Sequence, residues 1–117
     1  MRQKKGDLVR SKSEVLIADA LFDAGVQYRY EAVIKGQGWQ HYPDYTILHP
    51  ATREIVLWEH LGRMDDEKYV RKQFYKLIHY AETGFTLNNN LIMTLESGRH
   101  PLTPGVVKGA MTESGLI

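Results

Sequence analysis

The chain predicts an α/β domain, a mixed sheet flanked by helices. Two stretches of helical periodicity frame three extended segments, and a fourth extended segment follows the second helix, ahead of a short final helix. A length of 117 residues suits one ordinary domain and leaves no room for a second. Apolar residues make up 43% and charged residues 25%, enough for one core and too balanced for a disordered chain.

A basic lead, residues 1–9, carries Arg2, Lys4 and Lys5, with Arg10 and Lys12 just beyond. No apolar signal core follows it. SKSEVLIADALFDAG then reads as a helix, with a serine near its start and Gly25 just past its end. VQYRYEAVI alternates apolar and polar residues, as a strand with one wet face does, and GQGWQH is a glycine-bearing connection. YPDYTIL and REIVLWEHL are strands on either side of the turn-like HPAT. Asp65 or Asp66 can cap a second helix, DDEKYVRKQFYKLIHYAETG, which stops at Gly84. NLIMTLE is the last strand, and TPGVVKGAMTESGLI a final helix opened by Thr103 and Pro104. One domain therefore spans 1–117, with its core at about 10–96 and a C-terminal extension at 97–117.

The absence of cysteine excludes disulfides and cysteine-ligated zinc. No run approaches the ~18–20 apolar residues of a membrane span, so a cytoplasmic protein away from the membrane is expected. The formal charge of +1 announces no partner by itself. Its distribution says more: Lys68, Arg71, Lys72 and Lys76 lie within one short segment, a cluster compatible with phosphate binding or with a solvated face.

Three polar features fit burial poorly. On the first helix, at about 100° per residue, Glu14 falls within the apolar arc of Ile17, Ala18, Leu21, Phe22 and Ala24. A first-turn position, where a helix N-terminus favours an anion, accounts for it without any function. A turn over residues 49–54 makes Leu48 face Ile55 and sets Asp44 across from Glu59. Facing Cβ atoms lie roughly 4.5–5.5 Å apart, so two carboxylates there repel unless a cation intervenes. A turn one residue different puts them on opposite faces. On the second helix, Tyr69, Gln73, Lys76 and Tyr80 form one narrow stripe beside the apolar stripe Val70, Phe74, Leu77 and Ala81. That puts Lys76 at the border of the core, where it either snorkels or completes an anion-handling site.

RSKSE, YPDY and WEHLG, in this order and spacing, resemble the PD-(D/E)xK nuclease superfamily from about Arg10 to Glu96. The resemblance implies a restriction-endonuclease-like αβββαβ core. Pro43-Asp44 matches the PD dipeptide, Glu59 the second acid and Glu14 the acid of the first helix. In Glu59-His60-Leu61 a leucine stands where the family has lysine. The superfamily sometimes moves this lysine to the next helix, so the resemblance implies Lys76, with Lys72 as second choice. Lys76 and Tyr80 fall where related exonucleases carry Gln and Tyr, and Gln73 lies on the same stripe. The activity implied by the resemblance is that of a Mg²⁺-dependent deoxyribonuclease, with Mn²⁺ able to substitute. In that reading Asp44, Glu59 and the backbone carbonyl of His60 hold the metal, and Glu14 holds a second ion or a water. Tyr80 supports Lys76, Glu31 is either an outer acid or a solvated residue on the polar face of its strand, and Arg10, Lys12 and Lys72 contact DNA.

Other residues have plainer readings. Trp58 reads as core and His60 as a hydrogen-bonded structural histidine. His41, His49 and His100 lack zinc-ligand spacing. No phosphate loop or serine or cysteine nucleophile motif occurs. DNA is the expected partner, together with a homodimer or a larger DNA-processing protein. A catalytically inactive module of the same fold, binding DNA or a protein, is the alternative.

Overall fold

The computed structural model describes residues 1–8 and 11–117. Ser11 caps helix α1 (Lys12–Asp23), its hydroxyl oxygen accepting the Glu14 N–H at 3.2 Å. Ile17, Ala18 and Leu21 form the helix's buried face, while Phe22 and Ala24, placed on that arc by the helical wheel, are exposed at its fraying end. Strand β1 (Gln27–Tyr30) is shorter than the alternating pattern predicts. Glu31 adopts φ 52°, which breaks the strand, and its amide donates to the Asp44 carbonyl at 3.1 Å.

The expected connection after β1 is instead a small antiparallel hairpin, β2 (Ile34–Gly36) with β3 (Trp39–His41). Its two glycines give it the composition of a loop, but each serves the hairpin. Gly38 supplies φ +77° at the turn, and at Gly36 a Cβ would come within 2.2 Å of the Trp39 ring. Strands β4 (Tyr45–Leu48) and β5 (Ile55–Leu61) then pair antiparallel, with Tyr45 opposite Trp58 and Leu48 opposite Ile55. The expected register and turn are therefore observed.

Asp66 caps α2 (Glu67–Glu82), which ends before Gly84 at φ +93°. Strand β6 (Leu91–Leu95) pairs parallel to β5, giving a mixed four-stranded sheet in the order β1-β4-β5-β6. Thr103 caps α3 (Pro104–Glu113), which buries Val107 and Met111. The fold is a compact α/β domain with this sheet flanked by helices.

Two cores line the sheet. The larger gathers Ile17 and Leu21 of α1, Tyr45 and Ile47 of β4, Trp58 of β5 and Val107 of α3. The smaller, on the other side, holds Leu57, Leu91 and Tyr80, with Ile34, Leu77 and Phe85 packed against it. Strand alternation puts Leu57, Glu59 and Leu61 on this second side. There α2 differs from expectation. The stripe of Tyr69, Gln73, Lys76 and Tyr80 turns inward, whereas Phe74 (49% exposed) and Ala81 of the apolar stripe face out. The physical reason is Glu59: a buried carboxylate on the facing strand favours a helix face that can answer its charge. Among the described residues no helix is long and apolar enough to cross a membrane.

Ile47, fully buried between α1 and the sheet, should cost about 2–5 kcal/mol on truncation to alanine. Phe74→Ala should cost less than about 1 kcal/mol. Denaturant unfolding of the two variants measures the difference.

Candidate active site

Asp44 and Glu59 meet at the end of the β4–β5 ladder, one residue beyond the Tyr45–Trp58 pair. Two reciprocal bonds lock them together. The Asp44 N–H donates to Glu59 Oε1 at 2.8 Å, and the His60 N–H donates to Asp44 Oδ2 at 2.7 Å. Each carboxylate thus uses one oxygen on the opposite strand's main chain. Glu59 is 3% exposed, and its Oε2 lies 2.9 Å from Lys76 Nζ on α2. The acid pair and the border lysine therefore converge.

The electrostatic consequence falls on Asp44. Burial, then the neighbouring Glu59 charge, push its carboxyl up to about 7, with Glu14 adding to the effect. The His60 N–H and the Lys76 ammonium oppose the shift. Two acids in a partly dry site cannot both stay ionised cheaply when the Lys76 ammonium is paired with Glu59.

Glu14 approaches from α1. Its side chain accepts from Ser11 Oγ at 3.2 Å and from the Tyr30 hydroxyl, while its carbonyl accepts from the Tyr45 hydroxyl at 2.6 Å. These bonds anchor the first turn of α1 to β1 and β4. Burial, followed by the bond to Glu14, raises the Tyr30 phenol well above its ordinary value.

All four residues open on one cavity of about 1000 Å³. Lys12 and Ser13 line it from α1, Lys68, Lys72 and Gln73 from α2, and Arg63 from the loop between β5 and α2. Buried Glu59 and half-buried Asp44 and Glu14 thus lie deeper, and the exposed part of the lining is mostly basic, Lys12, Arg63, Lys68 and Lys72 beside the single acid Asp66. Arg10 lies outside the described residues. Glu31 does not line the cavity, and its contact with Asp44 is between backbone groups. Tyr80 does not reach Lys76: its hydroxyl is buried with no hydrogen-bond partner among the described residues, and its ring packs against Leu57, Leu91 and His41.

Several lining residues carry no assignment from the sequence. Tyr69 accepts the Gly62 N–H at 3.1 Å, and its place on the inward stripe is the signal that could have marked it. Glu96, at the end of β6, accepts from Ser13 Oγ and from His60 Nε2. Nothing local marks Glu96, because its partners are distant in sequence. His60 is the hydrogen-bonded histidine expected, and Trp58 is core. His41 and His79, which local spacing does not connect, bond at 2.7 Å between β3 and α2.

Among the described residues no three His, Asp or Glu side chains group closely enough to share an ion. An ion needing three or more such ligands does not fit. Mg²⁺, typically held by one or two carboxylates with waters completing its shell, suits the Asp44–Glu59 pair of hard oxygen donors.

No family model matches the chain. An uncharacterized protein of Methanocaldococcus jannaschii is 31% identical over 83 residues, which cover 70% of this chain and 7% of that protein. The chain therefore spans less than a tenth of that relative's length. Among solved structures, a chain from an electron cryomicroscopy structure of a DrdV–DNA complex is similar over 89% of this chain and 12% of its own, at 17% identity and a TM-score of 0.47.

Asp44 binds its proton more tightly folded than unfolded. Its contribution to stability is present below its ordinary value of 3.8 and is lost as pH rises through about 7. Thermal melts from pH about 4 to about 8, in chelator, should show the wild type losing stability relative to Asp44→Asn. Parallel curves would remove Asp44 as the source of the pH dependence.

Proposed function

We propose that this chain is a divalent-metal-dependent nuclease that hydrolyses phosphodiester bonds in DNA, in repair, recombination or mobile-element processing. The observation that carries the reading is the facing pair Asp44–Glu59, with Lys76 Nζ 2.9 Å from Glu59, in a cavity whose exposed lining is mostly basic. The sequence resemblance points the same way, since these positions match its two motif acids and its displaced lysine.

Asp44 and Glu59 would hold the ion, joined by the His60 carbonyl as the resemblance implies, with Glu14 set for a second ion or a bound water. When bound, Mg²⁺ or Mn²⁺ supplies Lewis-acid polarisation of a phosphoryl oxygen and a water acidic enough to ionise near neutral pH. Lys76 presents its ammonium where charge gathers on the phosphoryl oxygens, or orients the attacking water. Lys12 and Lys72, with Lys68 and Arg63, attract the phosphate backbone and fix its approach. The tilt of Asp44 toward its protonated form gives cleavage an acid limb, because the ion needs the carboxylate.

A second reading has its own observation. Leu61, at the position of the in-line lysine, is buried, and Lys76 already neutralises part of the acid pair. A module that binds DNA or a protein without cutting is compatible with that balance.

Purified protein should nick plasmid or degrade single-stranded DNA with Mg²⁺ or Mn²⁺ and stop in chelator. Asp44→Ala and Glu59→Ala should be inactive yet folded, and Lys76→Ala slower by roughly 10²–10³-fold. Wild-type turnover by Asp44→Ala rejects the assignment. DNA binding without cleavage by the wild type selects the second reading.

A further inference from the structure

On the side of β5 away from Lys76 runs a chain of polar contacts that the nuclease reading does not use. The Trp58 indole N–H donates to Thr94 Oγ1 at 3.1 Å. His60 Nδ1 lies 2.8 Å from the same oxygen, and His60 Nε2 lies 2.8 Å from Glu96 Oε1. That carboxylate oxygen also accepts from Ser13 Oγ at 2.5 Å. The His60 side chain is only 4% exposed, so these contacts are made largely out of water.

Chemistry orders the protons. An indole nitrogen only donates, so the Thr94 oxygen accepts there and keeps its own proton to give. Burial raises Glu96, but hydrogen bonds from Ser13, His60 and the Leu102 backbone outweigh it and hold the carboxyl below its ordinary value. An ionised carboxylate only accepts, so His60 Nε2 carries a proton toward it. The contacts therefore order as Trp58 N–H to Thr94 Oγ1, Thr94 Oγ1 to His60 Nδ1, and His60 Nε2–H to Glu96.

This relay joins three elements. It begins in the core, passes through β6 and β5, and ends at Ser13, next to Glu14 in the first turn of α1. Main-chain bonds fix Glu96 as well: its N–H donates to the Leu61 carbonyl at 2.9 Å, and its carbonyl accepts from the Met64 N–H at 2.9 Å. At the centre stands His60. Its ring is held by the relay while its own N–H holds Asp44 Oδ2.

We propose that His60 and Glu96 are positioning residues for the cation site, the buried relay from Trp58 to Ser13 locking the β5 main chain and the first turn of α1 around Asp44 and Glu59. The role rests on the metal-site reading above. It needs an acceptor at position 96 rather than a charge, since both side-chain bonds converge on one oxygen that glutamine also offers. Outer partners of this kind typically change metal affinity by about 10–100-fold when removed.

The test uses the full-length chain and has two readouts. In ¹⁵N-labelled wild type without metal, NMR should find a proton on His60 Nε2, facing Glu96. Calorimetry with Mn²⁺ should find Glu96→Ala weaker by roughly tenfold or more, and Glu96→Gln within a few-fold of wild type. An unprotonated Nε2 in the wild type overturns the relay, as does a folded Glu96→Ala that binds Mn²⁺ like wild type. Glu96→Gln failing as badly as Glu96→Ala would make the charge, not the acceptor, the requirement, and would overturn the positioning role. Asp44→Asn separates the underlying reading: undiminished Mn²⁺ binding there removes the cation site, and the positioning role with it, whatever the tautomer.

Discussion

Two carboxylates that ought to repel are held face to face by the ends of two strands. The Asp44 amide binds Glu59 and the His60 amide binds Asp44, so neither side chain can swing away without leaving a buried N–H unpaired. The β4–β5 register is therefore also the geometry of the site. A slip of one residue would turn the strand's whole side-chain set to the opposite face and dissolve both. The rest of the molecule answers the charge so concentrated: α2 turns Lys76 toward it, and α1 brings a capped, bonded Glu14 rather than a free one.

Helix α2 illustrates how local a side chain's reasons can be. By composition its apolar stripe belongs inside, and Phe74 and Ala81 of that stripe are nevertheless exposed. The helix is instead held by the small core at Tyr80 and Leu77, the Glu59–Lys76 ion pair, the Gly62–Tyr69 bond, and the stacked rings of Trp39, His41 and His79. The β2–β3 hairpin gains its place in the same way, as a brace carrying Ile34, Trp39 and His41 against this helix.

Much of this is legible in the sequence because it is written in local spacing. Ser11, Asp66 and Thr103 cap the helices where their types predict, and a turn over residues 49–54, one of two registers the sequence allows, gives the pairing that joins Asp44 to Glu59. Lys76 is legible as a border residue, but its actual partner depends on which face of α2 turns inward. The hairpin is hidden because Gly36 and Gly38 resemble a loop until Trp39 is seen covering Gly36. Glu96 is hidden because its partners, Ser13 and His60, lie 83 and 36 residues away along the chain. No periodicity reports a contact between a strand end and the first turn of a distant helix.

If the Asp44–Glu59 pair is built to take a divalent cation, anomalous scattering from a crystal soaked in Mn²⁺ tests it most directly. The expected result is a peak at the Asp44 and Glu59 carboxylates, with Lys76 Nζ no longer paired with Glu59 Oε2. Saturating Mn²⁺ with no density between Asp44 and Glu59, and Lys76 still seated on Glu59, would contradict it.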